Sequence, residues 1–185
     1  MSEDGDYELL FVDESEAHLN PPLTKVWART GHPARVPAAG EDQRAVAFGA
    51  WNFGTQQLEW HLCERKNSEE FLKFLHQLLA QKPAERRLIL VMDNAAYHRA
   101  KKVKKFLRDH EDAMEPFWLP PYSPELNLIE RVWRYVKENV TNNYYFGHMH
   151  LLLEALREAC RELSSPAETL LQVNFKTGKY FAEAA

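Results

Sequence analysis

Residues Leu88-Ile89-Leu90-Val91-Met92 form an unbroken apolar run that ends on Asp93-Asn94. A strand that is apolar at every position has no face to turn toward water, so it belongs inside a sheet with layers on both sides. Helices packed on both faces of a largely parallel sheet supply that environment. The acid that closes the run then falls at the carboxyl edge of the sheet, where open α/β folds hold their ligands.

The remaining segments arrange themselves around this strand. Tyr7–Val12 is an apolar run ending in Asp13-Glu14-Ser15, Ala45–Trp51 is a second, and Leu58–Cys63 alternates as a half-buried strand does. Lys25–Arg29, between Pro21-Pro22 and the turn signals Gly31 and Pro33, reads as a further short run. Short connections predict an antiparallel meander, with Ala34–Glu41 a loop inside it. Asn67, followed three residues later by Glu70, has the pattern of a capping box. The helix it opens carries Phe71, Leu72, Leu75, Leu78 and Leu79 and stops at Pro83. Further helices are predicted over Arg99–His110, Glu125–Val140 and Leu151–Leu163, the last interrupted by Pro166, with a short strand over Met114–Leu119. The expected fold class is α/β: a mixed sheet, antiparallel strands first and parallel strands after, flanked by helices, as one domain over 1–185.

Composition narrows the function classes. The net charge of −4 and pI near 6.1 advertise no nucleic-acid partner, so any DNA binding must come from a local basic patch or from metal ions in an acidic site. Cys63 and Cys160 are far apart and form no CxxC pair, which predicts reduced thiols in a reducing compartment. The start MSEDGDYELLFVDES lacks a basic leader, and no apolar run approaches the roughly 20 residues of a membrane span. The expectation is a soluble, cytoplasmic protein. His148-Met149-His150 is the one tight histidine pair and lacks partners at metal spacing, so it is read as a surface feature. Cys63 reads as a small core residue.

Three acids lie where chemistry gathers. Asp13 is placed at the end of the first strand, Asp93 at the end of the buried one, and Glu130 in the first turns of the helix after the proline loop. Each also has a plain explanation: a turn residue, a helix cap, and an exposed ion pair with Arg134 four residues on. At 100° per residue, Glu130 borders the apolar stripe Ile129, Val132, Trp133, Val136 and Val140 rather than opposing it. Carboxylates brought together suit hard divalent ions, which drive phosphodiester cleavage by activating a hydroxyl and stabilising the leaving oxygen. The helix Arg99–His110 gathers Lys101, Lys104, Lys105 and Arg108 on one face, opposite Val103, Phe106, Leu107 and His110. That stripe is either a solvated face or a row of phosphate contacts.

These residues carry a family resemblance. Val91-Met92-Asp93-Asn94-Ala95-Ala96-Tyr97-His98 resembles the DN-x(3)-H motif of mariner-like insertion-sequence transposases of the DDE superfamily. The stretch Leu119-Pro120-Pro121-Tyr122-Ser123-Pro124-Glu125-Leu126-Asn127-Leu128-Ile129-Glu130-Arg131-Val132-Trp133 resembles their LPPYSP-x-LN-x-IE-x-x-W segment, and Phe11-Val12-Asp13-Glu14-Ser15 their first-acid strand. The resemblance implies a ribonuclease-H-like fold, with Asp13, Asp93 and Glu130 holding two Mg²⁺ or Mn²⁺ ions. Asn94, His98 and Asn127 become candidates for orienting the ligands or the substrate, and Lys101, Lys104, Lys105 and Arg108 for the DNA backbone. It implies DNA partners, both transposon ends and target, a homodimeric active complex, and a place at the nucleoid. Leu128 departs from the proline common at its position. The family's full-length enzymes carry helix-turn-helix modules upstream, and none fits in the twelve residues before Asp13. The expectation is a helix-turn-helix half encoded separately, a truncated remnant, or an excised domain. Two other readings stand beside this one. A non-catalytic remnant would bind without cutting, and a ribonuclease H or junction resolvase would account for the acids but not for the LPPYSP segment.

Overall fold

The computed structural model describes residues 6–165, apart from 39 and 122. Tyr122, Pro166, residue 39 of the expected loop and the first five residues therefore lie outside the described residues. Five strands form one sheet in the order β3-β2-β1-β4-β5: β1 Tyr7–His18, β2 Arg44–Asn52, β3 Leu58–Cys63, β4 Arg87–Met92 and β5 Met114–Trp118. The first three pair antiparallel, whereas β4 and β5 add parallel to β1. This is the mixed sheet expected.

β4 lies between β1 and β5, as its composition demands. Leu88, Leu90 and Met92 join one core with Leu10, Val12 and Phe48, beneath α1 (Ser68–Gln81) and α2 (Lys101–Asp109). Val91 joins the other with Phe11 and Trp51, beneath α3 (Ile129–Val136) and α4 (Met149–Ser164). Only Ile89 escapes full burial in the run's interior. Asn67 caps α1, its Oδ1 accepting from the Glu69 and Glu70 amides at 2.9 Å each. The capping box is half built, because Glu70 turns away to His61 and Lys73.

Three expectations are corrected. β1 does not end at Asp13 but runs on to His18, because β2 continues to satisfy its backbone through the pair His18 and Arg44. Lys25–Arg29 is no strand: it is exposed and pairs with no neighbour in the sheet. The helix expected over Glu125–Val140 is broken into a 3-10 turn (Pro124–Leu126), α3, and a π turn (Lys137–Thr141) in which the Asn142 amide reaches back five residues to the Lys137 carbonyl at 2.8 Å. Cys63 is half-buried rather than fully in the core, and both cysteines are free. His148 and His150 are exposed, as expected. No described helix is long and apolar enough to cross a membrane.

The seat of α3 depends on a missing side chain. Gly49 of β2 lies opposite Asp13 in the register, and a Cβ there would meet the Trp133 ring at 2.5 Å and Ile129 at 3.1 Å. Trp133 is 1% exposed and hemmed in, so it cannot step aside cheaply. Gly49→Ala should overpack this contact at a cost of about 1–3 kcal/mol, lowering Tm by about 3–8 °C in a thermal melt. A melting point equal to that of the parent protein would show that α3 can move away freely.

Candidate active site

The β1–β4 ladder ends at Phe11 opposite Val91, each partner lying 80 positions further along the chain. Asp13, within β1, and Asp93, the first residue past β4, are each two residues beyond that last pair, where the chain leaves strands whose usual spacing is roughly 4.8 Å. Glu130 arrives from above on the first turn of α3. A side chain fixes that turn to the sheet: Asn127 Nδ2 donates to the Val12 carbonyl at 3.1 Å, one residue from Asp13. The Glu130 amide then donates to the Asn127 carbonyl at 3.1 Å. No ion pair between Glu130 and Arg134 forms among the described residues, which removes the plain explanation for that acid.

Asp13, Asp93, Asn94, Asn127 and Glu130 line one cleft of about 420 Å³, together with Leu119, Pro120, Pro121 and Ser123 of the proline segment. Asn94 Nδ2 donates to the Leu119 carbonyl at 2.6 Å and the Leu119 amide donates to Met92 at 2.8 Å, so the wall of the cleft is tied to the end of β4. The Oδ1 atoms of Asn94 and Asn127 are buried acceptors with no donor among the described residues.

The three acids differ in their surroundings. Asp93 Oδ1 accepts from the ring of His98 at 2.8 Å and from the Ala95 amide at 3.0 Å. The His98 bond is the main cause holding the Asp93 carboxyl below the usual range, so it is ionised at neutral pH. His98 itself is fully buried against Phe71 and Tyr97 and does not line the cleft; it acts on Asp93 from behind. Asp13 is pushed up to about 8, first by burial and then by the charges of Glu14, Glu130 and Asp93. Glu14 points to the opposite face, where Tyr97 donates to it and Lys66 pairs with it at 2.9 Å.

The basic stripe is present but unequal. Lys101, Lys104, Lys105 and Arg108 are all exposed on α2, and Lys105 is held by Asp109. Lys104 and Arg108 face a second cleft of about 590 Å³, where they are joined by Arg87 and Arg99. The Arg99 guanidinium lies 5.0 Å from the Trp118 ring centroid. Sequence reasoning missed Arg99, because nothing in the helical pattern links it to a strand nineteen residues on. It also missed His61, Cys63 and Glu70, whose ligand atoms lie within 4.8 Å of one another. That group lies apart from the acid cleft, and its Glu70 already accepts from Lys73 at 2.7 Å.

Comparisons with known proteins bear on the family and the fold. The family model described as DDE superfamily endonuclease matches residues 8–152. An insertion element IS630 uncharacterized 39 kDa protein of Shigella sonnei is 26% identical over 160 residues, covering 86% of this chain and 46% of that protein. The uncharacterized protein y4pE/y4sA of Sinorhizobium fredii is 36% identical over 58 residues, covering 31% of this chain and 39% of that one. The chain thus spans about half the length, or less, of these curated relatives. Among solved structures, the Mos1 transposase paired-end complex with left transposon end is similar with a TM-score of 0.61 at 20% identity, over 94% of this chain and 56% of that one. The catalytic core domain of BIV integrase is similar with a TM-score of 0.50 at 17% identity, over 73% and 91%. The fold is ribonuclease-H-like.

The acid cluster has a cost that can be measured. Because the folded-state carboxyl of Asp13 titrates near 8 against 3.8 when free, the folded state holds its proton more tightly than the unfolded state does. Its contribution to stability is therefore complete below pH 3.8 and is lost as pH rises toward 8. In the presence of EDTA, Asp13→Asn should melt higher than the parent at pH 8 by about 3–6 °C, with a smaller gap at pH 5. A gap that is constant with pH would show that Asp13 carries no such burden.

Proposed function

The chain belongs to the DDE superfamily endonucleases, and from that premise we propose that it is the catalytic domain of a transposase that cuts and joins DNA through Asp13, Asp93 and Glu130. The observation that carries the proposal is the convergence of these acids in one cleft at the carboxyl edge of the sheet. On this proposal residues 1–185 act as one catalytic domain, cytoplasmic and associated with the nucleoid.

The cleft's donor set fits a hard divalent ion. Among the described residues its lining offers carboxylate oxygens and the unpartnered carboxamide oxygens of Asn94 and Asn127, with no imidazole or thiolate. Asp13, Asp93 and Glu130 would hold two Mg²⁺ or Mn²⁺ ions, which when bound activate the attacking hydroxyl and stabilise the leaving 3′ oxygen. The chain's own contribution is position and charge. His98 keeps Asp93 ionised and fixes its rotamer. Asn127 ties Glu130's turn to β1, and Asn94 ties the proline wall to β4. Lys104 and Arg108, with Arg99 beside them, hold phosphates flanking the scissile bond; Lys101 and Lys105 extend the same face. Water attacks the phosphodiester at an element end as the bond to the 3′ oxygen breaks, and the freed 3′-hydroxyl then attacks a target phosphodiester, forming a new P–O bond as the target's own 3′ oxygen leaves as a hydroxyl. The Mos1 transposase, similar in fold, is described in a paired-end complex with a transposon end, which supports DNA ends and a homodimer as partners here. A helix-turn-helix half encoded separately would supply recognition of the ends.

Nicking of supercoiled plasmid should require Mg²⁺ or Mn²⁺ and should cease in EDTA, whereas Ca²⁺ should bind without turnover. Asp93→Ala should abolish nicking with an unchanged circular dichroism spectrum. Cleavage that survives EDTA or this substitution would overturn the proposal.

Phosphate contacts by the α2 stripe have a separate signature in salt. Lys104→Ala should weaken binding to all duplexes about equally and flatten the slope of log K against log salt by about one. An unaltered slope in a fluorescence-anisotropy titration would make the stripe a solvated face.

A further inference from the structure

Among the described residues β3 is an edge strand, paired with β2 alone, and α1 follows it after the turn over residues 64–67. His61 and Cys63 are two positions apart on β3, so their side chains leave by the same face. His61 stands opposite Phe48 in the register and Phe48 opposite Glu14, which places that face under α1 and away from Asp13. Glu70, in the first turn of α1, comes down onto the pair, its Oε2 lying 3.1 Å from His61 Nε2. One ring nitrogen of His61, the Cys63 sulfur and a carboxylate oxygen of Glu70 all lie within 4.8 Å of one another. Imidazole, thiol and carboxylate make a donor set quite unlike the oxygens of the acid cleft.

The fold holds each of these donors in place. Asn67 Oδ1 fixes the backbone of Glu70 through its amide at 2.9 Å. Two turns further along α1, Gln77 Nε2 donates to the Trp60 carbonyl at 3.1 Å, a second tie between helix and strand. Lys73 holds Glu70 Oε1 at 2.7 Å, which orients the carboxylate and leaves Oε2 turned to His61. All three side chains are half-buried. The Cys63 thiol donates to the Arg65 carbonyl at 3.3 Å, and Arg65 is exposed, so water can take over that carbonyl once the sulfur loses its proton. An ion pair of His61 and Glu70 would fasten the helix by itself, but it leaves the sulfur beside them without a part.

We propose that His61, Cys63 and Glu70 form a binding site for Zn²⁺ that clips the edge strand β3 to the start of α1. A tetrahedral zinc ion at ~2.0–2.3 Å from its ligands sets them roughly 3.3–3.7 Å apart. His61 and Glu70 are near that spacing already, and no separation in the group exceeds it by more than about 1 Å. A borderline-soft ion suits thiolate and imidazole, whereas Mg²⁺ and Ca²⁺ take oxygen ligands. On binding, the imidazole offers a neutral nitrogen, the thiol releases its proton to solvent and the sulfur ligates as thiolate. Thiolate and carboxylate together cancel the two charges of the ion, which suits a half-buried place. Water fills the fourth position. The site is independent of the DNA-cutting reading of the acid cleft.

The probe is Co²⁺, added to the full chain kept reduced with a phosphine. Bound here, it should give a thiolate-to-cobalt charge-transfer band in the near ultraviolet, and a stoichiometric amount of Zn²⁺ should bleach it. Cys63→Ser should abolish the band, and His61→Ala should weaken cobalt binding by about tenfold or more. Asp93→Ala should keep the band, because the acid cleft offers no sulfur, and so should Cys160→Ala, which removes the other free cysteine. In thermal melts, Zn²⁺ at about a hundred times its Kd should raise the Tm of the parent by about 5–10 °C more than that of Cys63→Ser. Mg²⁺ should open no such gap. In the parent itself, where folding is not in question, Zn²⁺ should protect Cys63 from alkylation by a maleimide. A parent that gives no charge-transfer band overturns the proposal, and so does a band that survives Cys63→Ser or alkylation that Zn²⁺ leaves unchanged. Plasmid nicking that persists in a parent without the band leaves the catalytic reading standing and removes only this one.

Discussion

Backbone hydrogen bonding between β1 and β4 stops at Phe11 and Val91, and the arrangement of the acid cleft follows from where it stops. Two parallel strands in fixed register carry their next outward residues to the same height. Sliding β1 by one residue would turn Asp13 to the other face and drive Phe11 into the space that Leu10 and Val12 fill in the opposite core, so the packing of both cores enforces the alignment. The aspartates need no contact with each other to be placed. The hydrophobic pattern of the strands places them, and the third acid has only to be brought down onto a site already half defined.

Bringing it down takes one donor and one absence. Asn127 reaches the Val12 carbonyl, and Gly49 leaves room for Trp133. Neither contact involves a carboxylate, yet both set the position of Glu130. Burial, and then the charges around it, oppose folding at Asp13. The two well-packed cores on either side of the sheet offset this, which is how a compact fold tolerates a site that works against it.

Much of this was legible in the residues themselves. The run Leu88–Met92, the Asn67 cap and the alternation in Leu58–Cys63 announced a mixed sheet with helices on both faces. The motif segments pointed to the acids. What could not be read depended on partners distant in sequence. Asp13 looked like the end of a strand because the antiparallel pairing with β2 that carries β1 further is invisible in the local pattern. The stripe through Val140 cannot report that one backbone bond skips a residue. Lys25–Arg29 has the composition of a strand but no neighbour to bond. Arg99 over Trp118, and the solitary exposure of Trp27, emerge only once the chain is folded.

The π turn at Lys137–Thr141 has a consequence for which changes this helix tolerates. A π turn accommodates one residue more than an α-helical turn of the same rise, so it works as a phase shifter: everything after it is rotated by about 100° relative to a straight continuation. Asn143, with φ of 59°, begins where that rotation delivers it, facing Pro22 and Thr24 across the chain. The fit depends on the number of residues in the turn more than on their identity. Point substitutions at exposed Lys137, Glu138 or Asn139 leave that count intact. Removing any one of them would relax the turn to an ordinary α helix and swing Asn143 out of register, unfastening a loop more than a hundred residues earlier in the chain.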